Sequence, residues 1–155
     1  MKSKVSLVVV AAVIIMAVAG LIIFLTQNQL HPYSTPSSQY IVNDNITVNA
    51  DSYTYYNFSI SNSAKVYPTV TGTFNVLTGG ESITRPLIRV CVMTYANFTA
   101  WQNYNSADTI YDSGFVGSGN VTVNLPKYGD YVLVFDNTFS STSKTVNATV
   151  SAFHV

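Results

Sequence analysis

From residue 40 to the C-terminus, apolar and polar residues alternate with a period of two. That is the repeat of a strand with one buried face. "NITVN" sets Ile46 and Val48 on one side, and "YYNFSIS" sets Tyr56, Phe58 and Ile60 inward with Asn57, Ser59 and Ser61 outward. "TVTGTFNVL" aligns Val70, Phe74 and Val76 and places Gly72 at a bulge or a close backbone approach. "GNVTVNL" turns Val121, Val123 and Leu125 inward, and "SKTVNATVSAF" does so with Val146, Ala148, Val150 and Ala152. "PLIRVCVM", apart from Arg89, and "DYVLVFD" are apolar on both faces, the mark of central strands. The exception to the alternation is "YANFTAWQNY" (Tyr95 to Tyr104), which reads as a short helical connection. Seven or eight short strands separated by turn residues predict an all-β, antiparallel β-sandwich.

The first 25 residues follow another rule. "VSLVVVAAVIIMAVAGLIIFL" (Val5 to Leu25) carries no charge, and as a helix it would span about 30 Å, the thickness of a bilayer core. Lys2 and Lys4 precede it and the next basic residue is Lys65, so the positive-inside rule keeps the N-terminus cytoplasmic and exports the rest. The expected organisation is a cytoplasmic tail at 1–4, a single transmembrane signal anchor at 5–25, a Pro- and Ser-containing linker at 26–39, and an extracytoplasmic sandwich at 40–155. Two other readings exist. Ala17-Val18-Ala19 has the form of a signal-peptide cleavage site, although cutting there would leave the apolar "GLIIFL" as the new terminus. A pilin-type leader would make the same helix a filament core. The run has no G-x-x-x-G, so it shows no dimerisation face of that type.

Composition narrows the function. Formal net charge is zero and 9% of residues are charged, which argues against a nucleic-acid partner. Cys91 is the single cysteine, so the domain has no internal disulfide and must rely on its core. Set in "LIRVCVM" with no His, Lys or second Cys nearby, it reads as a packed thiol.

Residues able to do chemistry are sparse. His31 lies in the linker and His154 is next to the end; neither neighbours a nucleophile, and no G-x-S-x-G elbow is present. Asp44, Asp51, Glu81, Asp108, Asp112, Asp130 and Asp136 are scattered over turns and strand ends without metal spacing; two converging as a glycosidase pair and a calcium ion at Asp136-Asn137 are the alternatives to turn capping. The glycines of "TGGES" and "GFVGSGN" suit hairpin turns and match no phosphate loop, and no cofactor is expected. Asn45, Asn57, Asn97, Asn120 and Asn147 each begin an N-x-S/T sequon and are candidate glycosylation sites in an exported chain. Tyrosine is abundant, with 11 residues including Tyr53, Tyr55, Tyr56, Tyr95, Tyr104 and Tyr111. An exposed cluster of them would suit protein contact or sugar stacking.

The stretch "GDYVLVFDNTFSSTSKTV" (Gly129 to Val146) carries the most specific local pattern. Tyr131 to Phe135 should cross the core. Asp136 and Asn137 should end the ladder by bonding local backbone. Phe139 is expected to fold back as a plug, and Ser140 to Ser143 to lead into a last strand that pairs as a hairpin and closes a sandwich edge. Leu125-Pro126, Gly129-x-Tyr131, Phe135-x-Asn137, Phe139-Ser140 and Lys144-Thr145-Val146, with "NFTAW" upstream, resemble the GOLD (Golgi dynamics) domain family from Tyr53 to Val155. The resemblance implies a jelly-roll type β-sandwich that binds protein or lipid without catalysis, with Gly129, Tyr131, Phe135, Asn137, Phe139 and Lys144 as structural motif residues. Cargo receptors of that family carry their anchor after the domain, with a coiled coil and a coat-binding tail. Here the anchor comes first, so their trafficking role does not carry over.

The expected function is therefore a membrane-anchored, extracytoplasmic binding or adaptor module, not an enzyme, engaging protein partners and, as further ligand classes, glycans or lipids. The alternatives are an accessory subunit of a membrane complex, a pilin-like surface subunit, and a hydrolase for which no residues are apparent.

Overall fold

The computed structural model describes residues 37–61, 67–78 and 86–154. The apolar run at 5–25, most of the linker, His31 and Glu81 lie outside them. Among the described residues no helix is long and apolar enough to cross a membrane.

Eight strands follow in order: β1 (Ser37–Val48), β2 (Ser52–Ile60), β3 (Thr69–Thr78), β4 (Ile88–Thr94), β5 (Tyr111–Val116), β6 (Ser118–Asn124), β7 (Gly129–Asn137) and β8 (Lys144–His154). One helix, α1 (Tyr95–Gln102), joins β4 to β5. All ladders are antiparallel. They form two four-stranded sheets, ordered β1-β8-β3-β6 and β2-β7-β4-β5. The domain is all-β and sandwich-like, and the two doubly apolar segments are the central strands β7 and β4.

The core lies between the sheets, and the period-two reading places it correctly. Ile46, Val48, Phe58, Ile60, Val70, Phe74, Val121, Val146, Ala148, Val150 and Ala152 are all buried, joined by Ile88, Val90, Val92, Tyr131, Leu133 and Phe135 from β4 and β7. The opposite faces of β4 and β7 are buried as well. Cys91, Met93, Val132 and Val134 form a second cluster with Phe98 of α1, edged by Tyr53 and Trp101. Helix α1 is thus a third layer covering the outside of one sheet, more than the connection its length suggests. Among the described residues nothing covers the outer face of β1-β8-β3-β6, and it is polar and uncharged. Asn45, Asn147, Asn75 and Ser118 align across its four strands, with Asn43, Thr149, Thr73 and Asn120 in the next row.

Two expectations about the last strands are corrected. β7 and β8 do not pair as a hairpin, and neither closes an edge: β7 lies between β2 and β4, and β8 between β1 and β3 in the other sheet. Their patterns explain why. β7 is apolar on both faces and needs the sheet that α1 covers, whereas β8 alternates and needs the sheet whose outer face meets water. Phe139 is not a plug either. It is 44% exposed and packs edge-on against Phe115, ring centroids 4.4 Å apart. The connection it sits on crosses between sheets at the rim, leaving no interior space for its ring.

Gly72 is a close-approach position. A Cβ there would overlap the carbonyl oxygen of Thr149 and stand 2.6 Å from the Cα of Val150 on β8. Both neighbours are backbone, so no rotamer change relieves the clash. Gly72→Ala should cost about 2–3 kcal/mol, read as a lower urea midpoint with an unchanged m-value.

Candidate functional site

The motif residues converge on two structural nodes. At one end of β7, Gly129 adopts φ 145°, a conformation that favours glycine. Two residues on, Tyr131 is buried and its hydroxyl donates to the Lys127 carbonyl at 2.5 Å. This tyrosine-corner arrangement fixes the bend into the strand. Phe135 is fully buried and packs edge-on against Tyr56.

At the other end, Asn137 is 0% exposed and Lys144 3%. Asn137 Nδ2 donates to the carbonyls of Asn49 (2.9 Å) and Thr142 (3.0 Å), and Asn137 Oδ1 accepts from Lys144 Nζ at 2.6 Å. The ammonium also stands 5.3 Å above the Phe139 ring. Burial pushes the Lys144 pKa below its ordinary value. One carboxamide thus ties the β1–β2 turn, the end of β7 and the start of β8. Neighbouring Asp136 caps the strand end through Oδ1, which accepts from the Thr138 amide (2.9 Å) and hydroxyl (2.7 Å). The predicted ladder stop at Asp136-Asn137 is what the structure shows.

Beside Trp101, on the sheet face that α1 covers, lies an ionic group. Arg89 donates to both carboxylate oxygens of Asp112, the shortest contact being 2.7 Å, and approaches Asp136 at 3.9 Å. Its hydrogen bonds to Asp112 raise the Arg89 pKa and hold the Asp112 carboxyl below the usual range. Burial pushes the Cys91 thiol up to about 12, so it stays protonated at neutral pH and packs as an inert group. Among the described residues no three His, Cys, Asp or Glu side chains stand together as a metal site.

The surface feature with the character of a binding site is aromatic. Thr94 caps α1, its hydroxyl accepting from the Asn97 amide at 3.2 Å, and the helix runs across the outside of β2-β7-β4-β5. Trp101 lies edge-on to Tyr53 (4.8 Å) and stacks with Phe98 (6.0 Å), while Tyr55 and Tyr95 contact Phe98 from either side. Beyond the helix Tyr104 is 100% exposed. A groove of about 460 Å³ lies between this helix end and the β1–β2 turn, lined by Asp51, Tyr53, Trp101, Gln102, Tyr104 and Thr138. The abundance of tyrosine signalled such a surface; the pairing of Trp101 with Asp51 and Thr138 was not readable, since they are remote in sequence.

The sequons separate by geometry. Asn45, Asn120 and Asn147 lie on the uncovered polar sheet face and Asn57 on edge strand β2, all exposed. Asn97 is half-buried on α1, with Nδ2 donating to the Asp108 carbonyl at 2.8 Å. Asn147 Nδ2 donates to Asn45 Oδ1 at 2.8 Å. No family model matches the chain, and no curated protein matches it.

Asn137→Ala should cost about 2–4 kcal/mol, because it removes the side-chain donors to the Asn49 and Thr142 carbonyls and leaves the buried ammonium only its longer 3.5 Å bond to Thr142. Lys144→Met in that background should recover part of the loss by removing the stranded charge. A double-mutant cycle from urea denaturation measures the coupling; strictly additive costs would contradict a shared node.

Proposed function

We propose that the chain is a membrane-anchored, extracytoplasmic binding or adaptor module without catalytic activity. In this reading residues 5–25 form a single-pass signal anchor, 1–4 face the cytoplasm, and 26–39 link the anchor to a jelly-roll, GOLD-like sandwich. The strand order supports the jelly-roll assignment: β1 pairs with β8, β2 with β7, β3 with β6 and β4 with β5, the nested pairing of one long rolled-up hairpin.

The observation that carries the binding role is the position of the aromatic surface. Ser37 starts β1 opposite His154, at one end of the sandwich, while Val48 pairs with Lys144 and Ser52 with Asn137 at the other. The groove between Asp51, Trp101 and Thr138 therefore opens at the end remote from the chain's entry. Its tyrosines and tryptophan are the side chains that dominate recognition surfaces.

Topology and binding can be tested together on intact cells. A cysteine at Asn57 should react with a membrane-impermeant maleimide, and one at Ser3 only after lysis; the reverse pattern excludes the reading. A photo-crosslinking residue at Tyr104 should give a discrete adduct, whereas the same group at Thr71 on the polar sheet face should not.

Glycosylation belongs to the same proposal. Peptide mapping of the native protein should find sugar on Asn57 and Asn120 and on one of Asn45 and Asn147. Those two share an amide–amide hydrogen bond and lack room for two glycans. Asn97 should be bare, its amide nitrogen being held by Asp108; occupancy there would contradict the assignment.

A further inference from the structure

Helices often end with a residue in the left-handed conformation just past the cap, and glycine usually fills that position because a Cβ is strained there. After α1 the pattern is complete: the Tyr104 amide donates to the Trp101 carbonyl (3.1 Å) and the Asn105 amide to the Ala100 carbonyl (3.0 Å). The residue in the glycine position is Tyr104, with φ 60°. Asp51 has φ 51°, and among the described residues these are the two non-glycine residues at positive φ. They come from turns more than fifty positions apart, yet both line the same groove. Strain that two unrelated turns place at one site, in one case with a fully exposed tyrosine, points to a functional demand on the side chains.

We propose that this groove is a carbohydrate-binding site that takes a neutral oligosaccharide. The inference rests on the binding-module reading and names its ligand. Tyr53, Trp101 and Tyr104 supply ring surface for the apolar C–H faces of pyranose rings, with polar edges still wet. Asp51, Gln102 and Thr138 supply a carboxylate, a carboxamide and a hydroxyl around them, the mixture of donors and acceptors that vicinal sugar hydroxyls satisfy. Gln102 is oriented by its own bond, Nε2 donating to the Tyr53 hydroxyl at 2.8 Å. The Asp51 carboxylate makes no hydrogen bond or ion pair among the described residues and is free to accept from a ligand.

Charge and shape narrow the class. Among the described residues no Lys, Arg or His lines the groove, so phosphorylated, sulfated or sialylated ligands would meet Asp51 uncompensated. A quaternary ammonium would satisfy Asp51 but needs rings closed around it. Tyr104 is fully exposed and Tyr53 meets Trp101 edge-on, so among the described residues the rings do not close into a cage. The volume of about 460 Å³ falls within the usual span of small-ligand sites.

The chain has one tryptophan, so Trp101 fluorescence reports on the groove alone. The full chain, in a detergent without a sugar headgroup, is titrated with linear hexasaccharides of mannose, glucose and N-acetylglucosamine, and with hexalysine. At least one hexasaccharide should shift Trp101 emission saturably with a midpoint below about 1 mM, and the midpoint should not move as salt rises from about 0.05 to 0.5 M. Tyr104→Gly should weaken that binding by about tenfold or more while raising the melting temperature, since it removes the strain. Tyr67→Ala, outside the groove, should change neither. The proposal is overturned if none of the three sugars gives a saturable response. It also falls if only hexalysine responds and salt abolishes the effect, or if Tyr104→Gly binds like the parent. A Tyr104 crosslink to a partner without any sugar response would retain the binding-module reading and reject this one. Sugar binding with the Asn57 cysteine inaccessible from outside would do the opposite.

Discussion

Cys91, Met93, Val132 and Val134 point away from the space between the sheets, and something has to keep water off them. That requirement organises the molecule. Left bare, four apolar side chains on adjacent strands would forfeit about 1.5–3 kcal/mol each for the larger ones. The chain meets the requirement with the eight residues after β4. Thr94 starts the helix, Phe98 is buried from its centre, and Trp101 follows one turn later on the same face. Once α1 lies across β4 and β7, its last turn arrives beside the start of β2. The aromatic groove is thus where a helix laid down to protect the sheet happens to end.

The same constraint decides the path of the last two strands. A doubly apolar β7 belongs in the covered sheet and an alternating β8 in the wet one, so the chain must change sheets within residues 138–143. A crossing at the rim leaves backbone carbonyls without ladder partners. Asn137 supplies two donors to them and an acceptor to Lys144, whose long stem reaches in from the first position of β8. A carboxylate in place of Asn137 would satisfy the ammonium but offer nothing to the carbonyls of Asn49 and Thr142. A carboxamide answers both needs, which accounts for the Asn-to-Lys spacing in physical terms.

Much of this was legible in the sequence. Alternation identified the inward residues strand by strand, because side-chain direction in a strand is local geometry. It also marked β4 and β7 as central, and left Gly72 as either a bulge or a close approach, of which the structure shows the second. What alternation does not encode is partnership. It read the last two strands as a hairpin, although the contrast between "YVLVF" and "TVNATVSA" already held the information that they need different neighbours. Phe139 was misplaced for the same reason, since a plug presumes a hairpin mouth. The groove was illegible because Asp51, Trp101 and Thr138 meet only through the topology, and an αL tyrosine leaves no trace in a hydropathy pattern.

The two strained turns set the groove apart from the structural nodes. Gly129 shows that this sequence uses glycine where the backbone demands it, and nothing in the core or the sheets requires a side chain at 104. A non-glycine residue in the left-handed region costs about 1 kcal/mol or more. Asp is among the residues that tolerate it, whereas a bulky aromatic is an outlier. A small domain without a disulfide has little stability to spare. Carrying that penalty at Tyr104 with the ring wholly in solvent is inconsistent with a purely structural role, because an exposed ring returns no burial energy. Consistency between local preference and global fold is the rule elsewhere among the described residues, and the departure from it coincides with the groove and with a carboxylate that has no partner among them. In the proposed complex a bound sugar would cover the ring and offset the penalty, so that reading makes the free state the strained one.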